Sequence, residues 1–274
     1  MKSKDEPIIL LTNDDGIDSP GLWAAVEGLS LLGDLWIVAP REQSSSAGRS
    51  MPPASDGIIQ SRTKNYLGKD WTCFAVGGTP AQVINHAIFE ILPQRPSIVI
   101  SGINYGANTG VDIMRSGTLG AAFEAASFGI PAIAVSRVTE MKYAFSHSGT
   151  IDFSAAAFFT HFFTERSLEK RFPKDVHVLK VEIPANATKD TLWKPTFLDP
   201  NSLYLSSSIA RDNWEQVGGL HFRIREDMEV FQPGSDAYAV FIENVVAVTP
   251  LSLDLTSRID LSQIQKIIEA PTQD

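Results

Sequence analysis

Three short stretches hold most of the residues whose types and spacing could do chemistry. The first, TNDDG at residues 12–16, sets Asp14 and Asp15 side by side. The second, REQSSSAGRS at 41–50, carries three successive serines, Ser44, Ser45 and Ser46. The third, GINYGANTGVDIMRSGTLGAAFEAA at 102–126, offers Asn104 and Asn108 and then Ser116, Gly117 and Thr118 at the start of a helical pattern. Neighbouring carboxylates point to opposite faces of a regular strand, but where a strand ends the chain turns and both can converge, helped by the freedom of Gly16. Two like charges brought together call for a cation between them. Asp before Gly is also a common turn former, so the pair gains its weight from the other two loops. Two Asp, a Ser and an Asn form a hard, all-oxygen set suited to Mg²⁺, Mn²⁺ or Ca²⁺ rather than zinc or copper. The Ser116–Thr118 helix start, with its unpaired amides and positive dipole end, suits a phosphate, and capping by Ser116 or Thr118 is compatible with that. A cation beside it could polarise a phosphoryl oxygen and activate a water, so phosphomonoester hydrolysis is the simplest chemistry these parts support.

Such loops need strands to end on. Short apolar runs at Ile8–Thr12, Leu35–Ala39, Trp71–Val76, Ile98–Ser101 and Ala132–Ser136 alternate with helical patterns, which predicts an α/β fold with a doubly wound, mainly parallel sheet. Ser19-Pro20 reads as N-cap and N1 ahead of Leu22, Val26 and Leu29, and Thr79-Pro80 with Gln82 reads as a capping box ahead of Val83, Ile84 and Ala87. A further helix is expected from about 149 to 163 and a strand at Val176–Ile183. In open parallel sheets ligands bind outside the carboxyl ends of the strands, where all three loops fall. Beyond Pro184 the pattern weakens. Leu203–Ser207 and Leu220–Ile224 suggest a hairpin extension, Tyr238–Thr249 reads as strand, and Ile259, Ile264, Ile267 and Ile268 mark a final amphipathic helix. The predicted organisation is one domain, with a core of about 7–184 plus 234–252, an extension of about 185–233, and a helix of about 257–269.

Bulk composition narrows the function classes. With 274 residues and 43% hydrophobic content the chain can bury a large core. Its net charge of -9 repels nucleic acid and anionic membrane on average, so a bound anion needs a local cation or backbone donors. The single cysteine, Cys73, forms no internal disulfide, and its surroundings read as a buried strand. No signal-like run follows MKSKDEP, and the cluster Ala155–Phe163 falls short of the ~20 residues of a membrane span. A soluble, cytoplasmic protein is the expectation. There is no G-x-x-x-x-G-K-[ST], because Gly68-Lys69 is followed by Asp70, and no G-x-G-x-x-G after the first strand. Histidines at 86, 147, 161, 177 and 221 form no H-x-x-x-H pair.

Taken together, LLTNDDGIDSPGL (10–22), VAPREQSSSAG (38–48), GGTPAQVI (77–84), VISGINYGANTG (99–110), SGTLGAAFEAASFGIPAIAVS (116–136), GSDAYAV (234–240) and TPLSLDLT (249–256) resemble, in order, the SurE family of nucleoside-5'-monophosphate phosphatases. That resemblance implies a Rossmann-like core, one divalent cation per subunit, Mg²⁺ or Mn²⁺, and hydrolysis of nucleoside monophosphates and other phosphate esters. By matching positions it makes Asp14, Asp15, Ser45 and Asn104 the metal ligands, with Asp14 and Asp15 catalytic. Asn108, Ser116, Gly117 and Thr118 would hold phosphate. It also implies a homodimer or homotetramer built through residues 185–232 and the last helix. The run of serines leaves Ser44 or Ser46 as alternatives to Ser45. Where the family usually reads GTPADC this chain reads GTPAQV, a change at a helix start away from the metal.

Two other readings compete. Attack by an aspartate, as in haloacid-dehalogenase-type phosphatases, expects D-x-D, and Asp14 and Asp15 are adjacent. A non-catalytic nucleotide sensor on the same fold would not need the acidic pair.

Overall fold

The computed structural model describes residues 6–143, 148–208, 210–219 and 221–269. Its centre is a nine-stranded sheet formed by β1 (Ile8–Thr12), β2 (Asp34–Pro40), β3 (Ile59–Tyr66), β4 (Lys69–Val76), β5 (Ile98–Tyr105), β6 (Ala132–Arg137), β7 (Val178–Ile183), β8 (Trp193–Pro195) and β11 (Val246–Leu251). Across the sheet the order is β3-β4-β2-β1-β5-β6-β7-β11-β8. The run from β4 to β7 is parallel throughout, β3 and β11 join antiparallel to β4 and β7, and β8 lies parallel to β11 at the far edge.

Strand β1 is buried on both faces, as a central parallel strand must be. Ile9 and Leu11 enter one core with α1 (Pro20–Leu29) and α4 (Ser154–Glu169). Ile8 and Leu10 enter the other with α2 (Pro80–His86) and α3 (Gly117–Ser127). The Thr79 capping box is formed: its hydroxyl accepts from Gln82 N and the Gln82 side chain accepts from Thr79 N. Chain order reverses at β1, which lies between β2 and β5. A doubly wound sheet opens its ligand crevice at that reversal, so the loops after β1 and β5 face the same opening.

Several elements differ from the sequence reading. β3 was not expected, because IQSRTKNY is largely polar. It is an edge strand whose side chains alternate between half-buried and exposed, and it is tied to β4 by a two-residue turn with positive φ at both Leu67 and Gly68. The expected strand Tyr238–Thr249 splits into helix α5 (Asp236–Phe241) and β11. Ser235 caps α5 by accepting from Tyr238 N, and apolar runs this short do not by themselves distinguish helix from strand. Helix α4 begins at Ser154 rather than near 149, where the Asp152 side chain accepts from Ser154 N, and continues past 163 to Glu169.

Residues 185–233 begin against the core: β8 extends the sheet and Phe197 bridges Ser235. The chain then leaves as the antiparallel hairpin β9 (Tyr204–Ser207) and β10 (His221–Ile224). Leu220 and His147 lie outside the described residues. The final helix, α6 (Leu261–Glu269), buries none of its residues and exposes Leu261, Ile264, Ile267 and Ile268. No helix among the described residues is long and apolar enough to cross a membrane.

Candidate active site

Asp14 and Asp15 sit where β1 ends, and the turn that carries them is braced from within. Asn13 Nδ2 donates to Gly16 O at 3.0 Å, and Gly16 N donates to Asn13 Oδ1 at 3.1 Å. Gly16 has φ +95, a conformation glycine adopts without strain. Both acids are deeply buried, at 4% and 2% exposure, so each is held in a medium that disfavours its charge. Burial pushes the Asp14 carboxyl up to about 6, against the opposing hydrogen bond from Thr118. Asp15 rises well above the usual carboxylate range through burial and then through the charge of Asp14.

Neutral groups are among their hydrogen-bond donors, the backbone amides of Gly117 and Thr118 at Asp14 included. Thr118 Oγ1 donates to Asp14 Oδ1 at 2.7 Å, Tyr105 N donates to Asp15 Oδ2 at 3.1 Å, and Gln43 Nε2 donates to Asp15 Oδ1 at 3.1 Å. Gln43 Nε2 also lies 2.9 Å from Ser45 Oγ, linking the serine loop to the acidic turn. Ser44 supplies its backbone N to Asp14 O at 2.7 Å. Gly117 packs against Asp14 so closely that a Cβ there would fall 2.8 Å from the Asp14 Cβ, which fixes the start of α3 beside the acid.

Asn104 reaches the site because β5 breaks register with β6 between Ser101 and Asn104, and such irregularities re-aim side chains at strand ends. Its amide nitrogen donates to Gly106 O at 2.9 Å, leaving its side-chain oxygen to accept. Asn108 donates through Nδ2 to Ser136 Oγ at 2.8 Å and, at 3.5 Å, to Thr118 Oγ1.

Asp14, Ser45, Asn104, Asn108 and Ser116 line one cavity of about 130 Å³, and Ser46 is on the same wall. Asp15, Gly117 and Thr118 stand behind that wall, in contact through the bonds just described. Ser116 caps α3 by accepting from Leu119 N at 3.2 Å. A larger cleft, about 680 Å³, touches Ser116 but holds neither Asp14 nor Asp15, so the chemistry places the site in the smaller one.

Sequence reading missed six residues of this cavity, of which Tyr105 and Ala107 lie at and just beyond the end of β5. Asp112 and Arg115 come from a 3-10 turn at Gly110–Arg115, and Tyr204 and Phe222 come from the hairpin. Asp112 Oδ2 accepts from Leu203 N at 2.7 Å and Tyr204 N at 3.0 Å, while Oδ1 pairs with Arg115 Nη2 at 2.8 Å. The Arg115 guanidinium lies 5.4 Å from the Tyr204 ring and 4.9 Å from the Phe222 ring. The spacing Asp112-x-x-Arg115 was the available signal, but the aromatic partners lie about ninety or more positions further along the chain.

Sequence comparison decides the kinship. The family model described as "Survival protein SurE" matches residues 9–199. The chain belongs to the SurE family. It is 36% identical over 262 residues to the "5'-nucleotidase SurE" of Thermococcus kodakarensis, covering 96% of this chain and 98% of that one. To the "5'-nucleotidase SurE" of Methanosarcina acetivorans it is 38% identical over 271 residues, with 96% and 98% covered. Among solved structures, the SurE protein from Aquifex aeolicus superposes with a TM-score of 0.74 at 30% identity, covering 96% of this chain and all of that one. This SurE chain therefore shares both the fold and the overall length of its relatives.

Proposed function

We infer that this SurE protein is a metal-dependent 5'-nucleotidase that hydrolyses nucleoside 5'-monophosphates to nucleoside and phosphate. The observation that carries the reading is the pair of buried acids beside a helix start, Asp14 lining a cavity rich in amide and hydroxyl oxygens and Asp15 directly behind it. Two adjacent buried carboxyls, both raised by burial and Asp15 further by the charge of Asp14, fit a hard divalent cation, Mg²⁺ or Mn²⁺. Among the described residues no three His, Cys, Asp or Glu side chains form a metal cluster, so Ser45 and Asn104 would complete the set with neutral oxygens. A bound cation would supply Lewis-acid polarisation of the phosphoryl group and an activated water.

The chain's own residues do the rest. Thr118 holds Asp14 in one orientation, while Gln43 and Tyr105 N hold Asp15. Ser116, Gly117 and Thr118 open α3 and would set the positive end of its dipole toward the phosphate, with Asn108 beside them. Arg115 supplies the local positive charge that a chain of net -9 needs to attract an anion. Tyr204 and Phe222 form an aromatic wall for the nucleoside.

The test is phosphate release from AMP, GMP and p-nitrophenyl phosphate by chelated protein before and after adding Mg²⁺ or Mn²⁺. Release that appears only with the cation supports the reading, and release unaffected by chelation refutes metal dependence. The absence of release under both conditions favours a nucleotide sensor. We further propose that the protein acts in the cytoplasm and forms a homodimer or homotetramer, the assembly being supported by α6, whose Leu261, Ile264, Ile267 and Ile268 are exposed. Light scattering on the full chain, compared with a chain truncated before α6, tests the assembly.

A further inference from the structure

Beneath the loop that carries Asn108 lies a cluster of three fully buried ionisable side chains. Lys180 Nζ is 3.0 Å from Asp236 Oδ2 and 3.7 Å from Glu182 Oε2. Burying three such groups is costly, and β7 fills its neighbouring positions with Val178, Val181 and Ile183 instead. The cost is not offset by ideal pairing, because Lys180 Nζ and Glu182 Oε1 have no hydrogen bond of good geometry. A purely structural role would be met by apolar side chains at the same two positions.

Each carboxylate instead reaches a backbone amide of the phosphate loop. Glu182 Oε2 accepts from Asn108 N at 3.0 Å, and Asp236 Oδ2 accepts from Gly110 N at 2.9 Å. Asp236 Oδ1 also accepts from Asp199 N at 2.9 Å and from Ala237 N at 2.8 Å, joining the loop to the root of the hairpin and to α5. Ser136 and Glu182 are register partners on adjacent strands, and they take Asn108 from two sides, Ser136 by its side chain and Glu182 by its backbone.

We propose that Lys180, Glu182 and Asp236 are positioning residues that lock the Asn108–Gly110 loop into its phosphate-binding form, with Lys180 holding the two carboxylates in place. The proposal rests on the phosphate-holding role inferred for Asn108. Glu182 touches no substrate. It acts by fixing Asn108, whose side chain in turn meets Ser136 and Thr118, and Thr118 holds Asp14.

The test compares full-length wild type, E182Q and the paired variant K180M/E182L, which replaces both charges with apolar groups of similar size so that no ion is left alone on β7. Loss of the clamp weakens ground state and transition state alike, so the KM for AMP rises about tenfold or more in K180M/E182L while kcat stays within about twofold. E182Q keeps an oxygen that accepts from Asn108 N, and its KM stays within about threefold of wild type. Hydrogen exchange of the peptide spanning 106–115 is an independent readout, faster in K180M/E182L than in the other two proteins. Wild-type kinetics and wild-type exchange in a folded K180M/E182L overturn the proposal, as does an E182Q that behaves like the paired variant. If wild type itself releases no phosphate, the nucleotidase reading fails, and the exchange rates still decide whether the cluster holds the loop.

Discussion

Two pairs of buried acids lie on either side of Asn108, and the protein treats them differently. Glu182 and Asp236 have a cation of the chain's own, Lys180, buried against them. Asp14 and Asp15 accept hydrogen bonds from hydroxyl, side-chain amide and backbone N–H groups, and Asp15 is raised first by burial and then by the charge of Asp14. The first pair shares one buried cation, and burial still holds the Glu182 carboxyl up to about 7 against the attraction of Lys180. The second pair is the one proposed above to take a divalent cation, and burial raises both of its carboxyls.

Opposite mutational signs would expose that difference most directly. Lys180→Met strands two buried carboxylates, so it should lower stability by about 3–5 kcal/mol in chemical denaturation. Asp15→Asn relieves repulsion, so the cation-free protein should melt no lower than wild type, yet turnover of AMP should fall by more than about a hundredfold, beyond what outer partners of metal ligands cost. A stable Lys180→Met or an active Asp15→Asn would erase the distinction between the two pairs.

Protons sharpen it next. Asp14 titrates at about 6 in the fold against 3.8 in the unfolded chain, so between those values the folded state binds the extra proton. Raising the pH through that window therefore destabilises the cation-free protein. A cation must displace that proton, so saturating Mg²⁺ or Mn²⁺ should raise Tm by about 5 °C or more at pH 7.5 and by progressively less as the pH drops below about 6. A cation-induced shift of the same size at pH 5 and pH 7.5 would contradict the assignment of Asp14.

Smaller effects separate the chemistry from the substrate wall. Phe222→Ala should raise the KM for AMP by about tenfold, the value of one aromatic stack, while leaving inhibition by inorganic phosphate unchanged. Thr118→Val removes one hydrogen bond to Asp14 and should cost about fivefold in kcat/KM for every ester tested. Equal losses for AMP and inorganic phosphate in Phe222→Ala would place that ring on the phosphate rather than the nucleoside.

What the sequence disclosed follows the range of the interactions involved. The alternation of buried strands and capped helices is local, and it anticipated the parallel sheet, the strand-end loops and the hairpin of β9 with β10. Asp14, Ser45, Asn104, Asn108 and Ser116 lie in loops that a switch point necessarily gathers, and they do line one cavity. Thr118, expected to help hold phosphate, also donates its hydroxyl to Asp14, a contact across 104 positions that no local pattern announces. Lys180 and Glu182 were hidden because they stand within a strand-like run of apolar residues, and only the approach of Asp236 from α5 reveals their purpose. Phe222 was invisible for a similar reason: its meaning depends on how the hairpin folds back over Arg115.

Asp112 carries a consequence for how such enzymes diverge. By accepting from both Leu203 N and Tyr204 N, it staples the base of β9 to the turn that bears Arg115. Further out, residues 210–219 are mostly exposed, with Trp214 standing 93% open. Insertions or deletions there can lengthen or shorten the hairpin while the stapled base keeps Tyr204 and Arg115 at the cavity, so the outer surface can drift without disturbing the floor beneath.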